Sequence, residues 1–136
     1  MGLSIRVKGF DKEIYNSGYG GFTRFRIAVA KSYNSEYGNL YEKWVECCLR
    51  RKKFSDKDLY KMNKLANNDL NLLFYHSDCD GKLTPQECKK IYKITKDLKC
   101  DYPQSNYITL TGKNQLDIFN EALRHCWKHR VNMWFE

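Results

Sequence analysis

The chain has no apolar run near the length of a membrane span, and Met1 to Phe10 lack the basic, apolar and small-residue succession of an export signal. These absences predict a protein that stays in the cytoplasm and does not enter a membrane. No internal repeat or low-complexity stretch is present, which excludes a solenoid or a tethered array. The 136 residues predict one domain spanning 1–136, long enough to bury a core without covalent staples. Proline occurs only at 85 and 103, so helices are interrupted by it at few places. The glycines make neither a dinucleotide nor a Walker fingerprint, and the i, i+4 pair His125 and His129 has Cys126 where a zinc protease needs glutamate.

Cysteine is not scarce, but the pattern that would give it work is missing. In a reducing compartment Cys47, Cys48, Cys79, Cys88, Cys100 and Cys126 are expected to be free thiols. His76 and Cys79 form half a zinc site; no clean second knuckle completes it, and small buried thiols are the simpler reading.

Basic charge is plentiful. Lys and Arg number 24 against 16 acidic residues, a net charge of +8, and aromatics make up 15% of the chain. Cations attract polyanions and flat rings stack on bases, so the pair points toward a nucleotide or a nucleic acid, against the plainer reading of a solvated basic surface over an aromatic core.

Leu3, Ile5 and Val7 alternate with Ser4, Arg6 and Lys8, which predicts a half-buried strand ending at Gly9. A polar stretch from Asp11 to Gly18 follows. Phe22, Phe25, Ile27, Val29 and Ala30 then have helical spacing, with Asn39 a candidate cap for a next helix carrying Leu40, Trp44, Val45, Cys48 and Leu49. The run Arg50-Arg51-Lys52-Lys53 suits either a polyanion or the negative end of that helix. Ser55-x-x-Asp58 predicts another helix start, and Leu72-Leu73-Phe74-Tyr75 is short and apolar enough to read as a buried strand. Tyr107 to Leu110 reads as extended, Leu116, Phe119, Leu123 and Trp127 form one helical stripe, and Val131 to Phe135 reads as a terminal strand that must pair with a distant one, the Leu3 to Val7 strand being the candidate. The expected fold is α+β: about five helices and a small, mostly antiparallel sheet that includes both terminal strands.

Residues 76 to 87, His-Ser-Asp-Cys-Asp-Gly-Lys-Leu-Thr-Pro-Gln-Glu, nearly spell a calcium loop, with Asp78, Asp80, Gly81 and Glu87 in place. The first position is His76, and imidazole is a poor calcium ligand. The same residues read without metal as a turn into a helix, because Thr84 and Glu87 form a capping box with Pro85 at the first helical position. Calcium or zinc on His76, Asp78, Asp80 and Glu87 remains the alternative, as a metal-dependent enzyme or calcium-responsive regulator.

Tyr19-Gly20-Gly21-Phe22-Thr23-Arg24-Phe25-Arg26 is the candidate binding motif. The glycines let backbone approach a ligand, the helix start offers N–H groups, Arg24 or Arg26 can hold a phosphate, and Tyr19 or Phe22 can stack on a ring. A purely structural glycine turn is the competing reading.

These two segments, Ser17-Gly18-Tyr19-Gly20-Gly21-Phe22 with Arg24 and Arg26, and His76 to Gly81 followed by Glu87-Cys88, resemble the hallmarks of a family of small, functionally uncharacterised bacterial and phage proteins. The resemblance carries no activity; it implies that His76 belongs to the motif and is not a decayed calcium ligand. In size and composition the chain is also similar to phage proteins that sequester cyclic nucleotide or ADP-ribose signals of bacterial defence. The resulting expectation is a non-enzymatic module for an anionic nucleotide-like ligand, with no cofactor, held by Tyr19, Gly20, Gly21, Phe22, Arg24 and Arg26 and completed by His76, Asp78 and Asp80 as ribose or base partners. This requires the two segments to meet around one cleft. An acidic or anionic counterpart to Arg26, from Asp78, Asp80 or a bound phosphate, is expected as well. Nucleic-acid binding through Arg50 to Lys53 is the rival, and a homo-oligomer is compatible with either.

Overall fold

The computed structural model describes residues 2–11, 15–76, 81–99 and 115–136, with backbone alone for 2, 3 and 15–21. Within them the fold is α+β, as expected. Its elements are β1 (Gly2–Val7), β2 (Tyr15–Gly18), α1 (Tyr19–Tyr33), α2 (Ser35–Leu49), α3 (Asp56–Leu65), α4 (Asn68–Phe74), β3 (Lys82–Leu83), α5 (Pro85–Thr95), α6 (Gln115–His129) and β4 (Met133–Phe135). The strands form one antiparallel sheet in the order β2-β1-β4-β3. The terminal strands pair, Ile5 opposite Phe135 and Val7 opposite Met133, because each needs a partner to satisfy its backbone and each turns alternate residues inward. Ile5, Val7, Met133, Phe135 and Leu83 turn to the helices and are buried. Among the described residues no helix is long and apolar enough to cross a membrane.

Helix α5 begins where the capping box places it. The Thr84 hydroxyl accepts from Glu87 N (3.3 Å) and the Glu87 carboxylate accepts from Thr84 N (2.9 Å). Ser55 caps α3 in the same way, accepting from Asp58 N at 3.1 Å. The stripe on α6 also holds, with Leu116, Phe119 and Leu123 fully buried.

Three sequence expectations give way. Residues 72 to 75 are not a strand: the Asn67 side chain accepts from the backbone N–H groups of Asp69 and Leu70, and Leu70, Leu73 and Phe74, at helical spacing, bury one face of α4. The apolar tetrad hid that period because its first member and its cap lie outside it. With α4 the helices number six among the described residues, in keeping with the about five expected. Asn34, not Asn39, caps α2, accepting from Tyr37 N at 2.9 Å. Tyr15–Gly18, within the stretch read as polar and irregular, is an edge strand that runs directly into α1, so Gly20 and Gly21 belong to that helix's first turn. The expected extended segment at Tyr107 to Leu110 lies outside the described residues.

Helices α1 and α2 are joined by Asn34 alone and pack tightly. A Cβ on Gly38 would stand 2.4 Å from Lys31 Cα, so glycine there sets how closely the two helices approach. That closeness matters for the site, which opens between α1, α2 and the end of α4.

Candidate functional site

A cleft of about 270 Å³ is lined by Thr23 and Arg26 of α1, by Tyr41, Trp44, Val45, Cys48 and Leu49 of α2, and by Phe74, Tyr75 and His76 at the end of α4. Arg26 forms its inner wall. The side chain is buried, its guanidinium lies 4.4 Å above the Phe22 ring, and Nη1 donates to the carbonyls of Phe74 (3.0 Å) and His76 (2.8 Å), with Leu73 O at 3.5 Å. A helix leaves its last carbonyls unpaired and carries negative partial charge there, so a cation aimed at that end satisfies both demands. Backbone carbonyls are thus among the partners of Arg26. The acidic counterparts expected for it, Asp78 and Asp80, lie outside the described residues.

The wall above is aromatic. The Tyr41 hydroxyl donates to the same Phe74 carbonyl at 2.9 Å, its ring centroid lies 5.2 Å from that of Phe74, and Trp44 stands edge-on to Tyr75 at 5.3 Å. Burial pushes the Tyr41 hydroxyl up to about 12, only partly opposed by the nearby Arg26 guanidinium, and burial also raises Tyr37 and Tyr75. All three are neutral hydrogen-bonding groups at physiological pH.

His76 closes one end. Its Nε2 lies 3.0 Å from the Lys82 carbonyl, which can only accept, so that nitrogen carries the proton. The ring packs at 4.2 Å against Phe135, and a Cβ on Gly81 would touch it at 3.4 Å. Gly81 also has φ +92°, a conformation that favours glycine. Gly81, Lys82 of β3 and Phe135 of the terminal strand thus hold the imidazole beside the α4 end.

The two sequence segments do meet: Arg26 and His76, 50 residues apart, are joined by a 2.8 Å hydrogen bond in the wall of one cleft. The individual residues fare differently. Phe22 is fully buried between Phe25, Phe135 and the Arg26 guanidinium, so its ring serves the core and does not face a ligand. Arg24 is exposed and does not line the cleft. Tyr19, Gly20 and Gly21 occupy the first turn of α1. Glu87 is engaged as a cap, and among the described residues no group of three His, Cys, Asp or Glu side chains could hold a metal ion.

Sequence reading missed Tyr41 and Tyr75 and took Trp44, Val45 and Leu49 only as helix apolar residues. Tyr37, Tyr41, Trp44 and Cys48 recur at intervals of three and four along α2, a stripe whose outer end was available to line a cleft.

Other chemically suggestive groups have structural roles. His125 Nε2 meets the Lys8 carbonyl at 3.0 Å, and its ring lies against Phe10 and His129. Cys88 and Cys126 are buried between α5 and α6, and a hydrogen bond between them together with burial raises the Cys88 thiol. A larger cleft of about 410 Å³ between α5 and α6 is lined by Tyr92, Lys96, Asp117, Asn120, Glu121 and Arg124. Its two acids offset its two bases, and Asn120 is tied to Thr95 by hydrogen bonds of 2.6 and 3.0 Å, so it offers an anion little. Compared with protein-family models, curated proteins and solved structures, the chain matches none.

Proposed function

We propose that the protein is a non-enzymatic binding module that sequesters a small anionic nucleotide-like ligand in the cleft between α1, α2 and the end of α4. The observation that carries this reading is the convergence of Arg26 and His76 on one aromatic-lined cleft, through the 2.8 Å bond that joins them. Trp44, Tyr75 and Tyr41 supply ring faces and neutral hydroxyl groups, and Arg26 and the basic run that follows cleft-lining Leu49 supply positive potential. At about 270 Å³ the cleft lies at the small end of ligand sites, which start near about 300 Å³, and suits a mononucleotide-sized group better than a dinucleotide.

A thermal-shift screen of mononucleotides, cyclic mononucleotides, cyclic dinucleotides and ADP-ribose, run with and without a chelator, tests the reading. A ligand at a hundred times its Kd stabilises the fold by about 2.7 kcal/mol, a shift of several degrees for a chain this size. The proposal expects such a shift from a mononucleotide-sized anion, unaffected by chelation. A shift from divalent metal alone would favour the metal-dependent reading of residues 76 to 87, and no shift from any nucleotide would remove the proposed ligand class.

A further inference from the structure

Among the described residues, helices pack on one face of the sheet only. Because successive residues of a strand point to opposite faces, burial of Ile5, Val7, Leu83, Met133 and Phe135 turns Arg6, Lys82 and Trp134 outward. All three are exposed, Trp134 by 44%. They also share a row: Arg6 and Lys82 are the Cα partners of Trp134 on its two neighbouring strands. Strands lie about 4.8 Å apart, so Trp134 has a basic residue on each side, with the Cα atoms of Arg6 and Lys82 about 10 Å from one another. Lys82 Nζ sits 5.3 Å from the Trp134 ring centroid. Arg6 pairs with Glu136 at 3.0 Å, but those side chains are 73% and 54% exposed, and such a pair is easily exchanged for another anion.

We propose that this open sheet face is a binding surface for single-stranded nucleic acid, separate from the α1–α2–α4 cleft. A base stacks on Trp134, and the phosphates flanking it are held by Arg6 and Lys82. Charge complementarity selects the occupant, since a surface tryptophan between two cations, on a chain of net charge +8, suits a polyanion that also carries flat apolar rings. A duplex hides its bases and offers the indole nothing to stack on. An acidic peptide would satisfy the cations but leave the ring unused.

The test is fluorescence anisotropy of the full chain with a labelled twelve-residue oligothymidine, comparing the native protein with Trp134→Ala, Trp134→Phe, Arg6→Ala, Lys82→Ala and Trp44→Ala. Each variant is first shown to be folded by circular dichroism. The expected outcome is at least tenfold weaker binding for Trp134→Ala, recovery of most of it by Trp134→Phe, a salt slope about 0.7 shallower for each lost cation, and no change for Trp44→Ala. Native affinity in Trp134→Ala, or displacement of the oligonucleotide by polyphosphate or polyglutamate equally well charge for charge, would overturn the proposal. Loss on Trp44→Ala with none on Trp134→Ala would move the nucleic acid to the cleft and likewise overturn it. Failure of mononucleotides to bind the cleft leaves every one of these readings unaffected, so the two sites are tested independently.

Discussion

Replacing Arg26 by methionine, which keeps most of the side-chain volume while removing the charge and the donors, measures what the arginine contributes at the end of α4. Three losses are expected. The bond to His76 O at 2.8 Å is charge-assisted, and such bonds contribute about 1.5–3 kcal/mol net. The cation at the helix carboxyl end adds about 0.3–1 kcal/mol, and its seat over Phe22 at 4.4 Å about 0.5–1 kcal/mol more. The Phe74 carbonyl loses less, because the Tyr41 hydroxyl still donates to it at 2.9 Å. Against these stands the relief of no longer burying a guanidinium, which offsets about 1–2 kcal/mol. The net expectation is a loss of about 2–3 kcal/mol. Urea unfolding followed by circular dichroism at neutral pH should show it as a lower midpoint with an unchanged slope, and heating as a melting temperature lower by roughly 8–12 °C. Arg26→Lys, which keeps the charge but loses the planar group seated over Phe22, should fall between. Stability of Arg26→Met within about 0.5 kcal/mol of native would refute the claim that the arginine stabilises the end of α4.

Further outcomes follow from the same geometry. Arg26→Met combined with Tyr41→Phe strips Phe74 O of both its described donors, so the double variant should lose about 0.5–1 kcal/mol more than the sum of the singles in a double-mutant cycle. Gly38→Ala drives a Cβ to 2.4 Å from Lys31 Cα, and despite alanine's better helix propensity it should cost about 2–3 kcal/mol by urea unfolding. Thr84→Ala should cost about 1 kcal/mol, since it removes one arm of the α5 capping box. Folding raises the Tyr41 hydroxyl from 10.0 to about 12, so its contribution is complete below pH 10 and is lost as pH rises toward 12, where the unfolded chain has already released that proton. Melting temperatures from pH 8 to 11.5 should therefore fall less steeply above pH 10 in Tyr41→Phe than in the native protein.

Much of the fold was legible where a local rule was strong. The Thr84-Pro85-Gln86-Glu87 box, the Ser55 cap and the α6 stripe are each set by residues within one or two turns, and the alternation at Leu3 to Val7 together with a closing apolar segment that has no turn before it left those strands needing each other. What escaped depended on longer context. The apolar tetrad at 72 to 75 shows no period of its own, and helix wins through Leu70 and the Asn67 cap upstream. Tyr15 to Gly18 carries little strand signal in its composition and becomes a strand by pairing with β1. At the site, Arg26 and His76 were read as neighbours, but the carbonyls that accept from the arginine were not, because backbone carbonyls at a helix end leave no mark in a sequence. The stacking role given to Phe22 failed for a related reason: an aromatic beside a glycine pair reads the same whether the helix turns it outward or, as here, into the core.

The central claim is that the cleft between α1, α2 and the end of α4 binds a small anionic nucleotide-like ligand, and titration calorimetry tests it most directly. Native protein and the folded variants Trp44→Ala and Tyr75→Ala are titrated with whichever mononucleotide-sized compound shifts the melting temperature most. One-to-one binding, weakened tenfold or more by each substitution, is the predicted result. Absence of binding heat from native protein, or affinity unchanged in both variants, would contradict the claim.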